Sequence, residues 1–366
     1  MTKQLIDGIV GTRPNMMKMA PLARALALDD TFTLRLIHTG QHYDDAMSSV
    51  FLRQLGLPEP AVNFQVGSGT QAVQTGKIMA AYEDYVRSTC QPRGLVVVGD
   101  VTSTMASALT AVKLGIPIAH VEAGLRSFDR TMPEEINRLV TDAISDLLLV
   151  SDPDGLLNLA REGQASEKIH FVGNVMIDTL WHSMPTIEQI DITQRYGVIP
   201  HQYAYVTLHR PTNVDDRVIL ARLLALFETC SQVMPVVVAL HPRTRQRMLD
   251  FALPAPSSPD MHIIDPLGYH DNIALVRSAR VVLSDSGGIQ EEASVLQVPC
   301  LTLRETTERP CTVELGTSEL VGNTPERITA AWDRVMRGAW KTATAIPLWD
   351  GHSAERIVRC LRQAWE

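Results

Sequence analysis

What this chain lacks narrows its role before any motif is read. Among its 366 residues there is no run of eighteen or more apolar ones, so no membrane span is expected. The opening stretch, MTKQLIDGIVGTRP, has no long apolar core of a secretory signal, and a cytoplasmic protein is expected. Basic charge is not in excess: 33 Lys and Arg stand against 41 Asp and Glu, a net charge of -8. That argues against nucleic acid as a partner, and leaves room for a local basic pocket that takes a phosphorylated small molecule. Cysteine is scarce, odd in number and scattered, at Cys90, Cys230, Cys300, Cys311 and Cys360. No C-x-x-C pair and no dense His/Cys cluster occurs, so reduced, structural cysteines and no structural metal are expected. GTRPNMMK, after the first apolar run, lacks the second glycine of a Walker A loop and is not G-x-G-x-x-G. A redox dinucleotide fold therefore has little support.

What is present is an alternation of short apolar runs with longer helical ones. LIDGIV, FTLRLIH, GLVVVGD, PIAHVEA and DLLLVSD are strand candidates in the first half, and YAYVTLH, PVVVALH, MHIID, VVLSD and PCLTLR in the second. Segments such as TSTMASALTAVKLG have helical length and apolar spacing between them. Apolar strands separated by helices predict parallel sheets covered on both faces. Two such series predict an α/β protein of two doubly wound domains, residues 1–185 and 186–350, with the break where HSMPTIEQIDITQRYGVIPHQ shows no clear strand.

In such sheets ligands sit beyond the carboxyl ends of the strands. Arg13, Gln41 and His42, Asp100, Glu122, His209, His241, Asp285 and Arg304 all follow strand candidates. Arg13 and Lys18 flank a helix start marked by Pro14, which suits an anion, although solvated first-turn cations read the same way. Asp100 equally suits a helix N-cap before Val101–Thr104. Glu134 and Glu135, after Pro133, are ordinary first-turn acids unless they converge with Glu122 on one cleft. Such a group would support proton transfer and stabilise positive charge at a sugar carbon. His209–Arg210 at a strand end suits a phosphate. In SDSGGIQEEA, Gly287 and Gly288 remove side chains at a helix start, so backbone amides can approach a phosphate. Glu292 is placed to accept from ribose hydroxyls; the alternative is a glycine turn followed by ordinary acids. RETTERP, with Arg304, Thr306, Thr307, Glu308 and Arg309, reads as a binding loop.

GTRPNMMKMAPL, TGQHYD, GDVTST, HVEAGLRS, PEEINR, TLHRPTN, DSGGIQEEA and RETTERP, in this order from residue 11 to 310, closely resemble the non-hydrolysing UDP-N-acetylglucosamine 2-epimerases. The resemblance implies two Rossmann-like domains with an interdomain cleft, as in B-type glycosyltransferases. It implies a C-terminal helix, residues 351–366, that returns to the first domain, and a homodimer with no metal or redox cofactor. It implies Asp100, Glu122, Glu134 and His209 as catalytic residues. Arg13, Lys18, Arg210, His241, Ser286, Gly287, Gly288, Glu292 and Arg309 are implied to bind UDP-GlcNAc, UDP-ManNAc or UDP. The implied chemistry is loss of UDP to give 2-acetamidoglucal, then re-addition to the epimer; a 2-epimerase of a modified UDP-sugar, or a transferase of the same fold, is the alternative. In one respect the chain departs from the family. Many bacterial members carry a second, activating UDP-GlcNAc site, built on Gln-His-x-x-Gln and His-Arg-Arg-Glu segments. Here Gln41 is kept, but Asp45 replaces the second glutamine, and Pro211 and Thr212 replace Arg-Glu. An arginine lost is a bidentate phosphate ligand lost, so no requirement for the activator is expected.

Overall fold

The structure, a computed structural model, describes residues 3–41, 52 and 55–366; His42 and Asp45 lie outside them. It divides into two compact units, Met1–Trp181 with Pro347–Glu366, and His182–Ile346. The division falls inside the helix Val175–Ile187. Among the described residues no helix is long and apolar enough to cross a membrane.

The first unit holds β1 (Gln4–Val10), β2 (Phe32–His38), β3 (Val62–Asn63), β4 (Gly94–Val98), β5 (Ile118–Ala123), β6 (Leu147–Val150) and β7 (Ile169–Phe171). They form one parallel sheet in the order β3-β2-β1-β4-β5-β6-β7. β1 and β2 run in register from Gln4 opposite Phe32 to Val10 opposite His38. The central strands are apolar throughout because helices cover both faces: Val96 and Val98 join one core cluster, Leu95 and Val97 the other. The order reverses between β1 and β4, which opens a crevice at their carboxyl ends.

The helix Ser353–Trp365 belongs to this unit. Ile357, Leu361 and Trp365 pack with Met19, Leu22 and Leu26 of the helix Arg13–Ala27 in one buried cluster, and the Trp365 ring meets Phe32 edge-on at 6.4 Å. Its first turn is capped from a distance: Asp178 accepts from the Ser353 and Ala354 amides at 3.1 and 2.7 Å, satisfying donors that no intrahelical carbonyl reaches.

The second unit holds β8 (Ala204–Leu208), β9 (Val236–Leu240), β10 (Met261–Ile264), β11 (Val281–Ser284), β12 (Cys300–Thr302) and β13 (Ser318–Leu320). Its parallel sheet runs β10-β9-β8-β11-β12-β13, with the reversal between β8 and β11. The helices Arg217–Ser231 and Pro325–Met336 bury Leu220, Phe227, Ile328 and Trp332 against one face.

Candidate active site

In each unit the sequence-marked residues gather at the point where strand order reverses. Beyond β1 and β4 of the first unit lie Arg13, Lys18 and Asp100. Glu122 comes from β5, where the pairing with β6 shifts by one residue between Val121 and Ala123. That bulge puts Glu122 at a φ of 71°, a left-handed conformation that costs a side-chain-bearing residue about 1–3 kcal/mol. The strain has a visible product: the buried Glu122 carboxylate meets the Lys18 ammonium. A glycine with a left-handed backbone lies beside this pair. Gly99 has a φ of +66°, and a β-carbon there would lie 2.8 Å from Lys18 Nζ.

Asp100 is not a helix cap. The helix Thr102–Lys113 has Val101 at its N-cap position, with no side-chain cap bond. The Asp100 carboxylate instead pairs with Arg138 Nη1 at 2.6 Å, and its carbonyl accepts from Asn137 Nδ2 at 2.8 Å. Both partners come from the helix Pro133–Ile144. The two first-turn acids of that helix divide their roles. Glu135 is buried and accepts from the Ser127 and Phe128 amides, at 2.9 and 3.0 Å, and from Arg138 at 2.7 Å. Burial raises its pKa, but these bonds outweigh it and hold the carboxyl below its ordinary value. Glu134 is half-buried and, with Thr12, Gln41, Gln71 and Asn137, lines a polar cavity of about 400 Å³. Asp100 and Glu122 do not line it. Arg13 is exposed at the start of its helix.

In the second unit Asp285 organises the strand ends. It is fully buried and accepts from His209 Nδ1 at 2.8 Å, the Arg210 amide at 2.9 Å and Asn213 Nδ2 at 3.0 Å. Burial pushes its pKa up, but these donors, His209 foremost, leave it below the ordinary carboxylate range. A carboxylate on Nδ1 fixes the histidine's orientation and leaves Nε2 as the working nitrogen. His241 lies beside it, ring centroids 5.4 Å apart; its Nδ1 accepts from the Arg243 amide at 3.2 Å and so caps the helix Pro242–Asp250. Burial, then the neighbouring His209, lowers the pKa of His241.

The glycine pair opens the helix Gly287–Val295, after Ser286. Neither glycine has a positive φ, and a β-carbon on either would meet nothing within 4 Å. A tight turn therefore does not explain them; the space before the helix amides is open. Glu292, on the second turn, is buried, and burial with Glu291 beside it pushes its pKa up to about 8. Tyr269 offsets part of this, yet makes no well-formed hydrogen bond to it: Glu292 Oε1 and the Tyr269 hydroxyl both lack a partner. The charges of RETTERP are largely spent within the fold. Arg304 pairs with Glu308 at 2.7 Å, and Arg309 is buried against Glu291. Arg210 approaches Glu308 at 3.7 Å. Burial raises the Glu308 carboxyl, but the three arginines outweigh it and hold it at about 2.

Sequence reasoning passed over Arg138, although PEEINR was in view; its place one turn beyond Glu134 was the available signal. It also passed over the Asp285–His209 pair, 76 residues apart, for which no local signal exists.

Two parallel Rossmann-like sheets, each presenting acids, histidine or glycine-exposed amides at its reversal point, define a doubly wound α/β protein. Comparison with known proteins makes this particular. The family model for UDP-N-acetylglucosamine 2-epimerase matches residues 24–362, and the chain belongs to that family of isomerases. It is 41% identical over 365 residues to the UDP-N-acetylglucosamine 2-epimerase of Methanocaldococcus jannaschii, covering 96% of this chain and 97% of the relative. It is 40% identical over 335 residues to the UDP-2,3-diacetamido-2,3-dideoxy-D-glucuronate 2-epimerase of Pseudomonas aeruginosa, covering 90% of each. The crystal structure of the Methanocaldococcus jannaschii UDP-GlcNAc 2-epimerase in complex with UDP-GlcNAc and UDP superimposes with a TM-score of 0.88 at 39% identity, covering 98% of this chain and 99% of that one.

Proposed function

We propose that this chain interconverts UDP-N-acetylglucosamine and UDP-N-acetylmannosamine by eliminating UDP and adding it back. The C2 hydrogen of the sugar has no neighbouring carbonyl to acidify it. Breaking the bond from C1 to the diphosphate oxygen makes C1 oxocarbenium-like, and the C2 proton then passes to a carboxylate. The products are 2-acetamidoglucal and UDP. Return of a proton to the opposite face of C2, and of the diphosphate oxygen to C1, gives the epimer with nothing consumed.

The observation that carries this reading is the set of acids in the first unit. Asp100 is held by Arg138, Glu122 is strained into contact with Lys18, and Glu134 is left facing a cavity. A carboxylate fixed by a cation is a poised proton acceptor or charge stabiliser, and binding alone would not need three. On this reading the Gly287–Gly288 amides and His209 take the diphosphate, and Glu292 the ribose. The test is incubation with UDP-GlcNAc in deuterated water: deuterium should enter C2 and UDP-ManNAc should form. Retention of the C2 proton overturns the proposal.

A second reading stands on the near-equal identity to the Pseudomonas aeruginosa relative, which favours a 2,3-diacetamido UDP-sugar as substrate. Turnover of the two sugars side by side decides between them.

A further inference from the structure

His120 lies on β5, two residues before Glu122, and is fully buried. Both of its ring nitrogens are engaged. Nδ1 faces Asp142 Oδ1 at 2.6 Å, and Nε2 faces the Gly99 carbonyl at 2.8 Å. A carbonyl only accepts, so Nε2 is the nitrogen that donates to Gly99, while Nδ1 lies against the Asp142 carboxylate. Asp142 is equally buried; its other oxygen accepts from Arg126 at 2.7 Å and from the Gly124 amide at 3.0 Å. Arg126 in turn meets Glu162 at 2.6 Å. Such a buried ionic group is weak evidence for stability, because desolvation offsets the attraction. Its use is better sought in what it holds.

It holds the turn that delivers Asp100. The Gly99 carbonyl belongs to the peptide plane joining Gly99 to Asp100, so fixing that oxygen fixes the direction in which Asp100 leaves the turn. The helix Pro133–Ile144 grips this turn at three points. Asn137 holds the Asp100 carbonyl, and Arg138 holds its carboxylate. The third grip runs from Asp142 through His120 to Gly99.

We propose that His120 is a positioning residue, a strut between Asp142 and the Gly99 carbonyl that aims the Asp100 carboxylate. The proposal rests on the reading of Asp100 as an acid that faces the sugar.

The two amide side chains separate the strut's ends. In His120→Gln the amide nitrogen reaches the Nε2 position and still donates to Gly99; in His120→Asn it reaches only the Nδ1 position and leaves the Gly99 carbonyl unheld. Asp142 keeps Arg126 in both, and melting curves check that both fold. Turnover of UDP-GlcNAc by the full chain should fall about a hundredfold in His120→Asn, as for an ångström-scale misplacement, with KM little changed, and markedly less in His120→Gln. Adding His120→Asn to Asp100→Asn should slow the enzyme no further than Asp100→Asn alone, since both act through one group. Equal losses in the two His120 variants, or losses that multiply in the double variant, overturn the proposal. If His120→Asn does not fold, the cycle with His120→Gln decides in the same way. The two failures are distinct. Near-normal turnover in Asp100→Asn removes Asp100 from the chemistry. Slow Asp100→Asn beside a normal His120→Asn removes only the strut.

Discussion

Replacing Glu292 by glutamine should stabilise the protein, and by more as the pH rises. Burial first, with Glu291 adding to it, raises this carboxyl from an ordinary 4.5 to about 8. Below 4.5 the folded and unfolded chains both carry the proton, and the group makes no difference between glutamate and glutamine. Between 4.5 and about 8 the unfolded chain has lost the proton and the folded chain keeps it, so stability falls as pH rises through that window. Glutamine has the same shape and cannot ionise, so it escapes this loss. At about 1.36 kcal/mol per pH unit the advantage of glutamine is about 3 kcal/mol at pH 7, about 4 kcal/mol at pH 8 and about 5 kcal/mol above it. Urea unfolding of the ligand-free wild type and Glu292→Gln, from about pH 5 to about pH 9, measures it. The gap should be small at the acid end, widen steadily and level off above pH 8. A gap that stays constant across this range would refute the reasoning, because it would mean that Glu292 ionises as freely in the fold as outside it.

Asp100→Asn and Glu122→Gln should each lower turnover by about 10²–10⁴-fold while UDP affinity, measured by calorimetry, survives; near-normal rates in both would sink their assignment. Gly288→Val should leave the melting temperature almost unchanged, since a β-carbon there meets nothing, and weaken UDP at least about tenfold, the cost of keeping a ligand from the helix amides; unchanged affinity would reduce the loop to a connection. Purified UDP-ManNAc alone should turn over without a lag, because Pro211 and Thr212 offer no cation to a phosphate and Arg243 is taken up by Asp215, 3.1 Å away; a lag relieved by trace UDP-GlcNAc would contradict this.

The ten apolar runs picked from the sequence all coincide with strands, and FTLRLIH matches β2 from first residue to last. A central parallel strand is buried on both faces and must be apolar along its length, so composition alone reveals it. Among the described residues the strands that escaped are β3, β7 and β13, each an edge strand of two or three residues and mostly half-exposed. With one neighbour and little cover, Val62–Asn63 or Ser318–Leu320 needs no apolar pattern. The residues at strand ends were legible for a related reason: in a parallel sheet every carboxyl end opens on the same edge. What could not be read was which charges are spent internally. Arg309 and Arg304 read as ligand-binding residues; the structure pairs Arg309 with Glu291, which only the meeting of loop and helix brings together, and Arg304 with Glu308, four residues on in the same loop. Asp100 passed equally well for a cap until Arg138, 38 residues on, was seen to claim its carboxylate.

The helix Ser353–Trp365 sets an order on how this chain can be made. All of His182–Ile346 leaves the ribosome before it does, so the second sheet can complete itself while the first still waits. Until then the first unit has an open seam: Met19, Leu22, Leu26 and Phe32 lack the cover that Ile357, Leu361 and Trp365 supply, and Asp178 has no amides to cap. Domains tend to fold in the sequence in which they emerge; here the half begun first is finished last. A nascent chain halted before residue 353 would carry a finished second unit beside a first unit with its apolar seam exposed, a form suited to capture by a chaperone or a protease.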